Sequence, residues 1–275
     1  MALQTKRKAN PEGRMALREH LRELRNRLIK AMIALLLGCI AGFFLYQPVF
    51  RVLSEPIAEL QERGRVATLN FDGVASSFDL MFQTSLFIGL ILASPVILYQ
   101  VWGFVTPGLK KNERKYALSF IAVAVPLFLA GIATAYIILP SAVYVLTGFV
   151  PDGVPTSNII TAQMYLMFVM RLMIAFGIAF VLPVILFGLN LIGILKGKTI
   201  LKSWRITVFI ICLFSAIATP GGDALTMFAM AGPLLLLFGL AIGLSIWNDK
   251  RREKKNAKLV AAAEAEIKAT PVKDL

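Results

Sequence analysis

The sequence predicts an all-α integral membrane protein with six transmembrane helices in a curved bundle, a short fifth span and both termini in the cytoplasm. The 275 residues are 57% hydrophobic, with a mean hydropathy of +0.73, whereas soluble domains are about 45–50% apolar. Six apolar segments each approach the roughly 20 residues that cross a hydrocarbon core. Connections rich and poor in Lys and Arg alternate along the chain, which indicates an even number of spans.

The basic residues set the predicted orientation. The segments with four to nine Lys and Arg are 1–30, 105–116, 193–205 and 248–275. The poor segments are 48–75 and 141–162. The net charge of +13 is therefore mostly a topology signal, with attraction to anionic lipid as a by-product. No aromatic residues interleave the basic clusters, which argues against a nucleic-acid partner.

The predicted elements follow the apolar segments in order. A cytoplasmic arm, 1–26, leads into a membrane domain, 27–247, and a basic tail, 248–275, is predicted to be mobile or loosely helical. The predicted spans lie at about 27–46, 77–104, 116–140, 161–189, 206–218 and 225–247. Span 5 has only 13 residues, about 20 Å of helix against a core of about 30 Å. Either neighbouring helices shield it or the bilayer is thinned there.

Prolines occur both in the predicted loops and inside the predicted spans. Pro48 and Pro56 predict that residues 48–75 form an outside loop, with an amphipathic stretch at 49–61. Four further prolines lie inside spans 2, 3, 4 and 6 and predict kinked helices; these are Pro95, Pro126, Pro183 and Pro233.

The sequence lacks the motifs of an enzyme or motor. There is no phosphate-binding G-x-x-x-x-G-K-[ST], no H-E-x-x-H and no G-x-S-x-G. The single histidine and two cysteines within apolar runs argue against a metal or cofactor. We therefore expect neither catalysis nor a bound cofactor.

Two carboxylates, Glu23 and Glu113, lie among basic residues at the predicted cytoplasmic ends of spans 1 and 2. Glu23 can form an ordinary helical ion pair with Arg27, four residues on. Alternatively, the two carboxylates receive a cationic ligand with adjacent arginines, because a carboxylate matches the guanidinium fork. Both interpretations remain open at this point.

Charges near or inside the spans form a second group of candidates. Arg171 lies within span 4, where a charge costs roughly 2.5–3.5 kcal/mol on insertion scales. It either reaches the interface or pairs with Asp79 or Asp223, both predicted near the outer face. We favour pairing.

Four stretches resemble the TatC family, the receptor subunit of the twin-arginine protein translocase. They are HLRELRNRL at 20–28, SPVILYQVWGFVTPGLKKNERK at 94–115, FGIAFVLP at 176–183 and ATPGGD at 218–223. The resemblance covers about Met15 to Trp247, in order, spacing and six-span plan, and its second motif is highly specific.

The resemblance implies a multi-pass receptor in the bacterial cytoplasmic membrane. Such a receptor binds paired-arginine signal peptides of folded proteins, which cross the membrane using the proton-motive force. It works in an oligomeric complex with small single-span partners of the TatA and TatB type. By position, the signal-peptide residues are Glu23, Glu113, Arg25, Arg27, Phe104 and Arg114, and the recurrent residues of the outer loops are Pro56 and Asp223.

One position departs from the family pattern. The FGxxFxxP stretch commonly carries a polar Glu or Gln implicated in contact with the single-span partners, but here the position is Val181. A charged residue, Arg171, appears upstream instead. We hypothesise that the polar contact has moved or has been lost, with a matching change in the partner.

Two other function classes are compatible with a multi-span membrane protein. A small-solute secondary transporter would predict repeat symmetry, which is missing, and polar groups at mid-membrane, for which the candidates are Arg171, Gln100 and Asn190. A membrane scaffold without a ligand would predict that both glutamates tolerate alanine. The match around Glu113 favours the receptor.

Overall fold

A computed structural model describes residues 17–62, 67–73, 75–105, 114–147, 158–218 and 224–269. Its helices are α1 (Leu17–Glu62), α2 (Ser76–Val105), α3 (Arg114–Thr147), α4 (Ala162–Leu191), α5 (Gly197–Lys202), α6 (Trp204–Ala218) and α7 (Ala224–Ala269). Two short strands, β1 (Ala67–Asn70) and β2 (Asn158–Thr161), pair with each other. Within these residues five helices are long and apolar enough to cross a membrane, and α6 is a sixth, shorter apolar helix.

The composition of the surface agrees with a membrane protein. Large apolar side chains are exposed along most helices, among them Phe44 at 83% and Ile217 at 78%. Soluble proteins rarely leave such continuous apolar surface in water. These side chains therefore fit a lipid environment, and the all-α membrane class is confirmed.

The predicted fifth apolar segment is a short helix, but the predicted loop after span 1 is wrong. Helix α6 has 15 residues, about 22 Å at 1.5 Å per residue. In contrast, α1 does not end near Tyr46 and runs through Pro48 and Pro56 to Glu62. Pro56 is fully buried, and the Tyr165 hydroxyl donates a hydrogen bond of 3.1 Å to the Leu53 carbonyl near it. This bond ties α4 to α1 close to the proline, and neighbouring helices of this kind allow a proline within a membrane helix.

Two further features differ from the sequence prediction, and the tail, predicted to be mobile or loosely helical, is helical over its described part. The predicted cytoplasmic loop between spans 4 and 5 contains the short helix α5, and the chain includes a small β-sheet that an all-α prediction omits. The tail is helical as far as Ala269, continuing α7 beyond its apolar part. Alanine and lysine are strong helix formers, which is why α7 continues after Trp247.

The described residues fall into two compact units. The first unit holds most of α1, all of α2, the first half of α3 and the start of α4. In it, α1 and α2 approach closely at small residues. A Cβ on Gly38 would lie 2.6 Å from the Gly89 carbonyl oxygen, and Gly42 meets the backbone of Ser85. Small residues four apart allow such backbone contact between membrane helices.

The second unit holds the rest of α3 and α4 together with α5, α6 and α7. Helices α3 and α4 meet at Gly131, where a Cβ would lie 2.6 Å from the Phe176 carbonyl oxygen. The Phe176 ring packs against Phe214 of α6, with centroids 5.8 Å apart. Asn190, fully buried, ends α4 in a polar network described below.

Gly38→Ala should lower the thermal midpoint of the purified protein in detergent. The added methyl group meets backbone rather than a movable side chain, and overpacking of this kind costs about 1–3 kcal/mol. Gly239→Ala is the matched control, since nothing lies within 4 Å of a Cβ there. Equal midpoints for the two variants would contradict the close α1–α2 contact.

Candidate functional site

A groove of about 580 Å³ lies in the first unit, between the N-terminal part of α1 and the C-terminal part of α2. Its lining comprises Glu19, Arg22, Glu23, Asn26, Arg27, Lys30, Tyr99 and Gln100. The α1 residues recur at spacings of three and four, which places them on one helix face. The groove therefore presents three cations and two carboxylates on one surface.

The ion pair expected from the spacing of Glu23 and Arg27 is present. The Arg27 Nε donates to Glu23 Oε1 at 3.0 Å, and Arg27 Nη2 donates to the same oxygen. Both side chains are 24% exposed. Arg27 is thus bound to one carboxylate oxygen by two donors, rather than to both oxygens in a parallel fork.

The second carboxylate oxygen of Glu23 is the unusual feature of this site. Oε2 is buried and accepts no hydrogen bond from the part of the chain that the structure describes. An ionised carboxylate has about four acceptor positions, and leaving a buried acceptor unpaired costs about 1–3 kcal/mol, more for a charged group. The Glu23 carboxylate therefore has unused capacity to accept a donor, which a ligand in the groove reaches once the side chain turns Oε2 toward it.

Arg27 contacts α2 as well as Glu23. Its guanidinium lies where a Cβ would stand on Gly103, so the α1 side chain packs directly on the α2 backbone. In this position Arg27 donates both of its hydrogen bonds to Oε1 of Glu23, and Oε2 accepts none from the described residues.

An aromatic pair lies beside the groove. The rings of His20 and Phe104 stack with centroids 4.6 Å apart and planes at 19°. His20 precedes Glu23 by three residues on α1, so Phe104 is brought next to the carboxylate without lining the groove. Trp102, in the same motif, stacks on Phe120 of α3 with centroids 4.0 Å apart.

The structure brings together some of the predicted site residues and not others. Glu23, Arg27 and Phe104 cluster as described, whereas Arg25 is exposed and its nearest polar contact is Asn26 at 3.5 Å. Glu113 lies outside the described residues, and Arg114 begins α3 with its side chain not described. The joint site of two glutamates stays a prediction.

The other predicted polar residues lie elsewhere. Asp79 is exposed in the first turn of α2, Arg171 is exposed on α4, and Asp223 lies outside the described residues. The predicted pairing of Arg171 therefore stays a prediction. Val181 is 3% exposed, so its side chain packs within the protein.

Sequence reasoning missed several groove residues. Glu19, Arg22 and Lys30 share the α1 face with Glu23, and the helical spacing was the signal that could have found them. Gln100 was noted only as a polar group in an apolar span, yet it lines the groove. No feature of the sequence indicated that the Arg27 side chain would contact Gly103.

The described helices and groove define a polytopic α-helical membrane protein with a partly paired acidic group at one membrane end. Comparison with known proteins gives the family. The family model described as Sec-independent protein translocase protein (TatC) matches residues 19–233.

Relatives with the same description span nearly all of the chain. The Rothia mucilaginosa protein is 45% identical over 260 residues, covering 94% of this chain and 88% of the relative. The Aquifex aeolicus protein is 35% identical, covering 88% of this chain and 100% of the relative. A crystal structure of the twin arginine translocase receptor TatC is 35% identical with a TM-score of 0.68, covering 84% of this chain and 99% of that chain.

The chain belongs to the TatC family, whose members are protein translocase components with a transport role rather than a catalytic one.

The coupling free energy between Glu23 and Arg27 should be small, about 0.5 kcal/mol, because the pair is partly exposed and four residues apart on one helix. A double-mutant cycle with Glu23→Gln and Arg27→Gln, read from unfolding in detergent, measures it. A coupling above about 2 kcal/mol would make the pair a structural link and contradict a carboxylate held available for a ligand.

Proposed function

We propose that this protein is the receptor component of a twin-arginine translocase, binding the paired-arginine signal peptide of folded precursor proteins. The observation that supports this most directly is the buried Glu23 Oε2, which lacks a hydrogen-bond donor within the described residues. A guanidinium of the signal peptide supplies that donor, as a planar fork suited to a carboxylate.

The groove explains how arginine would be preferred to lysine. Three cations, Arg22, Arg27 and Lys30, line it with Glu23 and repel any cation that does not gain strong hydrogen bonds in return. An arginine makes directed, paired bonds, whereas a lysine acts as a compact, strongly hydrated point charge. The groove would thus select arginine in two ways, by repelling cations that form only weak hydrogen bonds and by binding the guanidinium strongly.

Glu113 completes the proposed site. In the sequence it follows α2 and directly precedes Arg114, where α3 begins. Phe104 lies near the end of α2 that leads toward it. One carboxylate for each guanidinium accounts for the requirement of two adjacent arginines.

The remaining parts of the proposal concern setting and partners. The basic segments place both termini and the groove on the cytoplasmic side of the bacterial cytoplasmic membrane. Small single-span subunits of the TatA and TatB type complete an oligomeric assembly, and the proton-motive force drives export. The names of the relatives, as Sec-independent translocase proteins, support a shared assembly of this kind.

Binding of a twin-arginine signal peptide and its Lys-Lys variant, to full-length protein in nanodiscs, tests the receptor role. The Arg-Arg peptide should bind at least about tenfold more tightly, since hydrogen bonds to charged groups contribute about 1.5–3 kcal/mol. Glu23→Gln and Glu113→Gln should each remove most of this preference.

The matched control is Glu19→Gln, which removes the same charge from the same groove one helical turn away. It should retain the preference for Arg-Arg. Equal binding of both peptides, or equal losses in all three variants, would assign Glu23 and Glu113 to local ion pairs and reject the receptor site.

A further inference from the structure

A second pocket, of about 410 Å³, lies within the second unit where α7 leaves its apolar stretch. The segment between α4 and α5 and the start of α5 form one wall, and one face of α7 forms the other. Its charged lining residues are Lys196, Lys198, Asp249, Lys250, Arg252 and Glu253. The pocket is thus rich in cations.

One of its two carboxylates belongs to a hydrogen-bond network. Asp249 accepts from Asn190 Nδ2 at 2.8 Å through Oδ1, and from the Gly197 amide at 2.6 Å through Oδ2. Asn190 also donates to the Leu195 carbonyl at 2.9 Å and accepts from Asn248 at 2.9 Å. This network joins the two pocket walls and holds the Asp249 carboxylate through neutral donors.

The four cations of the pocket form no ion pair within the residues that the structure describes. They outnumber the two lining carboxylates, Asp249 and Glu253, so the pocket lining carries a net positive charge. Unpaired cations around a formed cavity attract an anion much more strongly than the same charges spread over a flat surface.

Arg252 gives the pocket a directed donor. Its guanidinium lies against Gly193, where a Cβ would overlap it, and Gly193 has a φ of +84°. A side chain at that position would be both strained and in collision with Arg252. Arg252 also lines the pocket, and a guanidinium can bind phosphate oxygens through two parallel hydrogen bonds.

The surroundings favour a lipid as the source of the phosphate. Ile194, next to the lining residue Gly193, is 63% exposed, and Leu244 and Trp247 of α7 are also exposed. Apolar surface beside a cationic pocket suits acyl chains attached to an anionic headgroup, and basic pockets at the ends of membrane helices bind such headgroups. We propose that this pocket binds the phosphate of an anionic phospholipid. This site is independent of the receptor role of the groove.

Native mass spectrometry of the full-length protein in detergent tests the proposal, using phosphatidylglycerol and phosphatidylcholine with identical acyl chains. The wild type should bind phosphatidylglycerol preferentially. Lys198→Gln/Arg252→Gln should weaken that binding about 30-fold, at the usual contribution of a basic residue near anionic lipid.

The control is Lys202→Gln/Arg251→Gln, which removes the same charges from the same two helices outside the pocket lining. Arg251 instead lies over the Trp247 ring, 4.0 Å from its centroid. The control should keep nearly the wild-type affinity, and Lys198→Gln by itself, a change at an exposed side chain, should weaken binding about fivefold.

Equal losses in the two double variants would show diffuse attraction and overturn the site. So would equal binding of both lipids to the wild type. Displacement of phosphatidylglycerol by millimolar inorganic phosphate would identify free phosphate as the ligand and overturn the lipid assignment.

Discussion

The close backbone contact between α1 and α2 is the constraint on which the candidate site depends. Gly38 meets Gly89 and Gly42 meets Ser85, so four residues along α1 correspond to four residues backward along α2. This antiparallel register brings the polar N-terminal part of α1 opposite Tyr99, Gln100 and Gly103. In this register Arg27 contacts Gly103 and donates its hydrogen bonds to one oxygen of Glu23, while the other oxygen has no donor among the described residues. A bulkier residue at either small-residue contact would separate the helices and release this arrangement.

The parts of the fold that could be predicted are those encoded locally. A short apolar run gave the length of α6, and the spacing of Glu23 and Arg27 gave their ion pair. The length of α1 was mispredicted because Pro48 and Pro56 are strong local breaking signals. The helix continues through these prolines because of tertiary contacts with residues distant in sequence. Pro56 is buried, and Tyr165 donates a hydrogen bond to α1 close to it. The helical tail and the small sheet likewise need information that an apolar pattern does not carry.

Some residues of the candidate site could likewise be predicted from the local sequence, whereas others depend on contacts between helices. Residue type and location identified Glu23, and the resemblance to the family added Glu113, Phe104 and the neighbouring arginines. The unpaired Oε2 could not be foreseen, because it depends on the placement of the Arg27 side chain against α2. A similar contact occurs in the second unit, where the Arg252 guanidinium lies against Gly193. Contacts of this kind join residues far apart in sequence, and a local sequence pattern does not reveal them.

The central claim is that Glu23 receives a guanidinium of the signal peptide. A double-mutant cycle between the protein and its ligand tests it most directly, pairing Glu23→Gln with replacement of each signal arginine by citrulline, which keeps the shape and removes the charge. The account predicts a coupling free energy of about 1.5 kcal/mol or more with one of the two arginines. Coupling near zero with both arginines would contradict it and leave Glu23 as the partner of Arg27 only.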